Sequence, residues 1–276
     1  MRLSNNIKQL SIITILIYLS GCDNIKVVPE SGDAAPSKQV DVSKIPNAVP
    51  KNEPKSRYGN PKSYVVFDKR YYVMESSKGF VEKGIASWYG TKFHGRRTSS
   101  GETYDMYAMT AAHKNLPLPT YVKVTNLNNG RHVIVKVNDR GPFHDNRIID
   151  LSYTAAIKLD IVKKGTGLVE VRAIQPGETI STVSTEGAPI ATSDAINNTA
   201  GFYIQVGSFS QLANAESLRK KLGPLGESLI KISQAIVNGE TLYRVRIGPI
   251  TDIDHSDSIT NKLWNYGVSE HRIVVN

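Results

Sequence analysis

Apolar residues recur at every second position over several short stretches between residues 84 and 174, and a period of two predicts strands. Residues 121–127 form one such stretch, Asn128, Asn129 and Gly130 supply a turn tolerant of positive φ, and residues 131–137 return as the second arm of a hairpin. Within the run 132–139, Val133, Val135 and Val137 share one side, and Asp139 has their parity. Residues 151–159 switch to a helical pattern opened by a serine cap, and residues 169–174 read as a closing strand. Short strands, one helix and many turn residues favour a small closed barrel over a sandwich. Ahead of it, aromatic and β-branched residues at 64–74 predict a strand in an N-terminal extension, 64–83, that lies against the barrel.

Residues 201–276 show a different order: strand, helix, strand, strand, helix, strand. Leu212, Ala215, Leu218 and Leu222 mark one helical face, Asn238-Gly239 marks a hairpin turn, and Ile259, Leu263 and Tyr266 line a second helix. This predicts an α+β domain with helices on one sheet face and the other face bare. By alternation the bare face carries Tyr203, Gln205, Arg244 and Arg246. An aromatic, an amide and two guanidinium groups suit carboxylates and sugar hydroxyls. A sheet that binds RNA is the fold-level alternative.

The segments between these units carry no such period. Residues 23–63 hold six of the thirteen prolines among Lys, Ser, Asn and Asp, which predicts a disordered tether over 22–63. Residues 175–200, rich in Ser, Thr and Ala, predict a flexible linker. The start is basic at Arg2 and Lys8, then apolar, then small at Ser20-Gly21. A membrane-crossing helix needs about 20 apolar residues; this shorter run predicts a signal peptide over 1–21. The chain's single cysteine, Cys22, follows directly, and Leu19-Ser20-Gly21-Cys22 resembles a bacterial lipobox, which implies acylation of Cys22. One cysteine excludes a disulfide framework within the chain. A net charge of +9 on an exported chain points to an anionic polymer or surface, with cell-wall glycan and anionic lipid ahead of nucleic acid.

The chemistry concentrates between residues 84 and 152. Glu102 and Asp105 follow Thr98-Ser99-Ser100-Gly101, His113 follows a short apolar run, and Trp88, Tyr89 and Phe93 precede them. Carboxyl groups beside aromatic faces suit glycosidic chemistry, in which one carboxyl stays protonated to serve the leaving oxygen and flat rings stack on sugars. Core filling accounts for Trp88-Tyr89 equally well, and Asn138-Asp139-Arg140-Gly141-Pro142 is also an ordinary turn composition. His94, His113, His132 and His144 lack the spacing of a metal site, and neither a metal nor another cofactor is expected.

Gly84-Ile85-Ala86-Ser87-Trp88-Tyr89-Gly90, Gly101-Glu102-Thr103-Tyr104-Asp105, Thr110-Ala111-Ala112-His113 and Asn138-Asp139-Arg140-Gly141-Pro142-Phe143 resemble the rare lipoprotein A family of endolytic peptidoglycan transglycosylases. Phe202-Tyr203-Ile204-Gln205-Val206-Gly207-Ser208-Phe209 and the run from Tyr243 to Pro249 resemble the sporulation-related (SPOR) repeat, which binds septal glycan strands stripped of stem peptides. The resemblance implies a six-stranded double-psi β-barrel over 84–174 and a βαββαβ repeat over 201–276. It implies activity at Glu102 and His113, with Asp105 in the same groove, Asp139 as acid/base, and Trp88 and Tyr89 as groove walls. Substrate binding by Tyr203, Gln205, Arg244 and Arg246, a periplasmic lipid-anchored location at the septum and divisome partners follow from the same likeness. Asp23 after Cys22 leaves inner and outer membrane both open. Asp68 departs from the resemblance, standing where a glycine turn is expected. The competing expectation is an expansin-like barrel that grips the wall without cleaving it.

Overall fold

In the computed structural model the described residues are 33–37, 40–144, 146–178 and 201–275. The signal-peptide segment, Cys22 and residues 179–200 of the linker lie outside them. From Asp33 onward the chain forms one compact unit.

Residues 45–61, expected to be part of a tether, lie as a strap on the barrel. Asn60 explains why: its Oδ1 accepts from the Leu118 amide at 2.8 Å, and its Nδ2 donates to the Leu118 carbonyl at 2.8 Å and the Ser56 carbonyl at 3.1 Å. Ala48 donates its amide to the Ile134 carbonyl, and Glu53 accepts from Tyr121 and from Lys136 Nζ. Such ties use backbone and short polar side chains, which leave no apolar period in the sequence. Next come β1 (Ser63–Val66) and β2 (Lys69–Tyr72), a hairpin where one strand was expected. Phe67 and Asp68 both take positive φ, at 48° and 60°, so Asp68 occupies the left-handed turn position that glycine usually fills.

The barrel strands are β3 (Val81–Tyr89), β4 (Thr110–His113), β5 (Thr120–Asn126), β6 (His132–Asp139), β7 (Arg147–Ser152) and β8 (Thr166–Ala173). They close in the order β3-β7-β4-β6-β5-β8, with β3–β7 and β4–β6 parallel and the other pairs antiparallel. This is the six-stranded barrel expected. Its interior is filled by Ala86, Ala111, Val122, Val124, Val133, Val135, Val137, Ile149, Leu151, Val169 and Val171, side chains compact enough for so narrow a barrel. Helix α1 (Tyr153–Leu159) begins at Ser152, whose side chain accepts from the Ala155 amide, and packs Ala155, Ala156 and Leu159 into the same core.

Strands β9 (Phe202–Phe209), β10 (Ile230–Val237), β11 (Glu240–Ile250) and β12 (Arg272–Val275) form an antiparallel sheet in the order β10-β11-β9-β12. Helices α2 (Leu212–Leu222) and α3 (Ile253–Leu263) complete the βαββαβ order. Phe202, Ile204, Val245 and Ile247 bury against Ala215, Leu222, Ile259 and Leu263. The opposite face is not bare. Gln205 on it is 9% exposed, and Arg244 and Arg246 face barrel residues across a cleft. Asn146 fastens the two parts: buried, it donates to Asp257 Oδ1 at 2.8 Å and Thr260 Oγ1 at 2.9 Å, and its Oδ1 lies 3.0 Å from His271 Nε2.

Candidate active site

The outer surface of β3, β7, β4 and β6 carries the carboxylates. Ser87 is in register with Asp150, Asp150 with Ala112, and Ala112 with Asp139, so these four side chains lie in a row across the sheet. Asp139 reaches that row because of a β-bulge. Ala111 pairs with Val137 but Ala112 pairs with Asp139, so Asn138 is the extra residue and Asp139 shifts to the face opposite that of Val133, Val135 and Val137. Simple alternation put it on the core side, and the bulge corrects that.

Asp139 Oδ1 accepts from the Ser99 amide at 2.8 Å, the Ser99 hydroxyl at 2.7 Å and the Arg140 amide at 2.8 Å. Glu102 stands beside it over β6. Its Oε1 meets Lys136 Nζ at 2.9 Å and its Oε2 accepts from Asn138 Nδ2 at 2.7 Å, while the side chain stays 45% exposed. Glu102 and Asp139 are thus brought together by the 98–102 loop and the end of β6, and both work as acceptors there. Arg140, next in the chain, anchors the other side of the turn by donating to the carbonyls of Gly59, His113 and Leu116.

Asp150 is the residue that sequence reasoning missed. Its partly buried carboxyl accepts the Ser87 hydroxyl, and Ser87 is itself 2% exposed. Burial pushes the Asp150 carboxyl above the usual carboxylate range, opposed by the Ser87 hydrogen bond and by the charges of Arg147, Lys114 and His144. Gly141 keeps space open here: at φ 137° it takes a conformation that side chains rarely adopt, and a Cβ on it would stand 3.8 Å from Asp150 Oδ2. A carboxyl inside the apolar run Ile148-Ile149-Asp150-Leu151 was the available signal.

The other expected residues lie elsewhere. Asp105 Oδ1 accepts from the Tyr107 amide at 2.9 Å and sits 3.7 Å from His94 Nδ1 on an exposed turn. His113 is 2% exposed, edge-on to Phe80; its Nδ1 accepts the amides of Asn115 and Leu116 at 3.1 Å each. That acceptor role puts the proton of the neutral ring on Nε2, which faces Glu82 Oε2 at 3.5 Å. Burial lowers the His113 pKa. The ring's partners are therefore Phe80, Glu82 and its own turn, and it does not join Glu102 and Asp139. Tyr89 is a packed residue rather than an open wall: it is 7% exposed and stacked on Tyr104 at 4.0 Å, and burial together with Tyr104, Asp139 and Asp150 holds its phenol far up in pKa. Trp88 packs on Tyr153 at 5.6 Å and is only partly buried.

A family model described as lytic transglycolase matches residues 81–171, and a SPOR domain model matches residues 198–263. "Endolytic peptidoglycan transglycosylase RlpA" of Vibrio cholerae serotype O1 is 41% identical, with 92% of this chain and 92% of that protein covered. The chain belongs to the RlpA family. A second member, from Pseudomonas aeruginosa strain UCBPP-PA14, is 42% identical over 80% of this chain and 78% of its own length. Among solved structures, the RlpA SPOR domain from Pseudomonas aeruginosa shares 31% identity, covering 27% of this chain and 97% of that one at a TM-score of 0.26.

Proposed function

We propose that this RlpA-family chain is a lytic transglycosylase that cleaves the bond between N-acetylmuramic acid and N-acetylglucosamine in peptidoglycan strands lacking stem peptides, leaving 1,6-anhydro ends at the division septum. The observation that carries the reading is Asp150, a carboxyl that burial biases toward its protonated form on the same barrel face as Glu102 and Asp139. Asp150 gives its proton to the glycosidic oxygen as the C1–O bond breaks, and N-acetylglucosamine leaves with a free 4-hydroxyl. The resulting carboxylate takes the proton of the muramoyl 6-hydroxyl as that oxygen bonds to C1. The enzyme ends in its starting state and no water is consumed. Because the nucleophile belongs to the substrate, its effective concentration is high and no second enzymic nucleophile is needed.

Glu102 and Asp139 supply negative charge beside the forming oxocarbenium character, and the bulge, Ser99 and Lys136 fix where that charge sits. Asp139, for which the resemblance implies the acid/base role, has a positioning role in this reading. His113 and Asp105 stand outside this set and hold their own turns. Tyr203, Gln205, Arg244 and Arg246 hold the glycan through the C-terminal sheet, with an acylated Cys22 keeping the protein at a periplasmic membrane face. The test is mass spectrometry of soluble products from purified sacculi. Anhydro ends from the wild-type protein, absent with Asp150→Asn, are expected; undiminished anhydro products from Asp150→Asn remove Asp150 as the acid. No soluble product from the wild-type protein would favour the wall-gripping alternative.

A further inference from the structure

Between β3, β4 and β7 of the barrel and the open face of the C-terminal sheet lies a cleft of about 460 Å³, within the size range of ligand sites. Six cations line it: Lys83, Lys114 and Arg147 from the barrel, Arg244, Arg246 and Arg272 from the sheet. Among the described lining residues the acid is Glu82. Like charges gathered across a junction repel, and an anionic ligand relieves that repulsion. One further atom points to a ligand: Arg147 Nε is buried with no hydrogen-bond partner among the described residues. Buried donors of this kind are normally satisfied.

We propose that this cleft is one composite anion site, in which the barrel's Lys83, Lys114 and Arg147 grip the same carboxylate-bearing glycan strand as the sheet's arginines. The ligand class rests on the peptidoglycan reading above: a strand without stem peptides bears a free lactyl carboxylate on each muramoyl residue, whereas a stem peptide converts it to an amide. The two halves therefore bind one chain jointly and not two chains independently. Arg147 pairs with Ile85 and Asp150 with Ser87 along β3, so the cleft and the acid share one face of the barrel. Asn146 holds the cleft walls in register by its bonds to α3 and His271.

The experiment uses the full chain and sacculi stripped of stem peptides by an amidase, with retention measured by sedimentation. Lys83→Glu, an exposed barrel position outside the catalytic row, is expected to weaken retention about tenfold or more, the scale of a hydrogen bond to a charged group. Arg272→Glu is expected to do the same, and Lys83→Arg to restore binding, with unfolding temperatures unchanged throughout. Stripped sacculi should retain the wild-type protein better than sacculi with stem peptides intact. Wild-type retention of Lys83→Glu overturns the shared site and leaves the reaction standing, since anhydro ends are scored separately. Loss of retention in Lys83→Glu when wild-type protein makes no anhydro ends supports the site and removes the reaction.

Discussion

Ser87→Ala isolates the tuning of the acid. The Ser87 hydroxyl donates to Asp150 and holds its pKa down against the burial that raises it. A hydrogen bond to a charged group contributes about 1.5–3 kcal/mol. Ser87 is 2% exposed, so water cannot readily take over its role. A protonated donor is lost as pH rises through its pKa, which makes Asp150 the alkaline limb of kcat/KM for anhydro-product release. Removing the hydroxyl raises that pKa further, and the alkaline limb should move to higher pH. The assay is initial release of anhydro-muropeptides from stripped sacculi between pH 4 and about pH 9. An alkaline limb that stays in place or moves to lower pH refutes Asp150 as the donor, whatever happens to the unfolding temperature.

Asp150→Asn should separate stability from activity. The folded protein holds the Asp150 proton more tightly than the unfolded chain does, so folding becomes less favourable as pH rises from about 3.9 toward the raised pKa. The Asn variant escapes this loss; it should melt above wild type at neutral pH, the gap shrinking toward pH 4, while releasing no anhydro product. Asn60→Ala removes five hydrogen bonds, to Ser56, Leu118 and Arg140, and should cost about 2–3 kcal/mol in urea unfolding, where a loose tether would cost nothing measurable. Asn146→Ala should split a single calorimetric transition into separate barrel and C-terminal transitions, because its three partners lie on the other part. Gly141→Ala, which places a methyl beside Asp150 Oδ2 at an unfavourable φ, should reduce turnover more than retention on sacculi.

Period-two alternation and turn chemistry made most strands legible: His132–Asp139 and Phe202–Phe209 occur as the pattern predicts, and Ser152 caps its helix. What alternation cannot carry is a bulge. One inserted residue, Asn138, reverses the face of Asp139 without altering the apolar pattern before it. Asp150 was hidden for a related reason. Reading the helix from residue 151 cut short the strand Arg147–Ser152, and the carboxyl in its middle lost its context. Tyr89 illustrates the opposite case, an aromatic whose composition fits wall and core alike and which Tyr104 covers by stacking. The strap escaped notice because Asn60, Glu53 and the Ala48 amide bind individually, with no repeating spacing for a sequence pattern to reveal.

That strap bears on any shortened form of the protein. A fragment cut to residues 81–171, the stretch the transglycolase family model matches, keeps all six barrel strands almost entire but loses Gly59, Asn60 and Glu53. Arg140 Nε and Nη2 would lose the Gly59 carbonyl while Nη1 kept those of His113 and Leu116, and Lys136, shared in the whole chain between Glu53 and Glu102, would fall to Glu102 alone. The excised barrel would keep its shape while its groove carried a different balance of charge, so a weak or silent fragment would report on the excision and not on the enzyme.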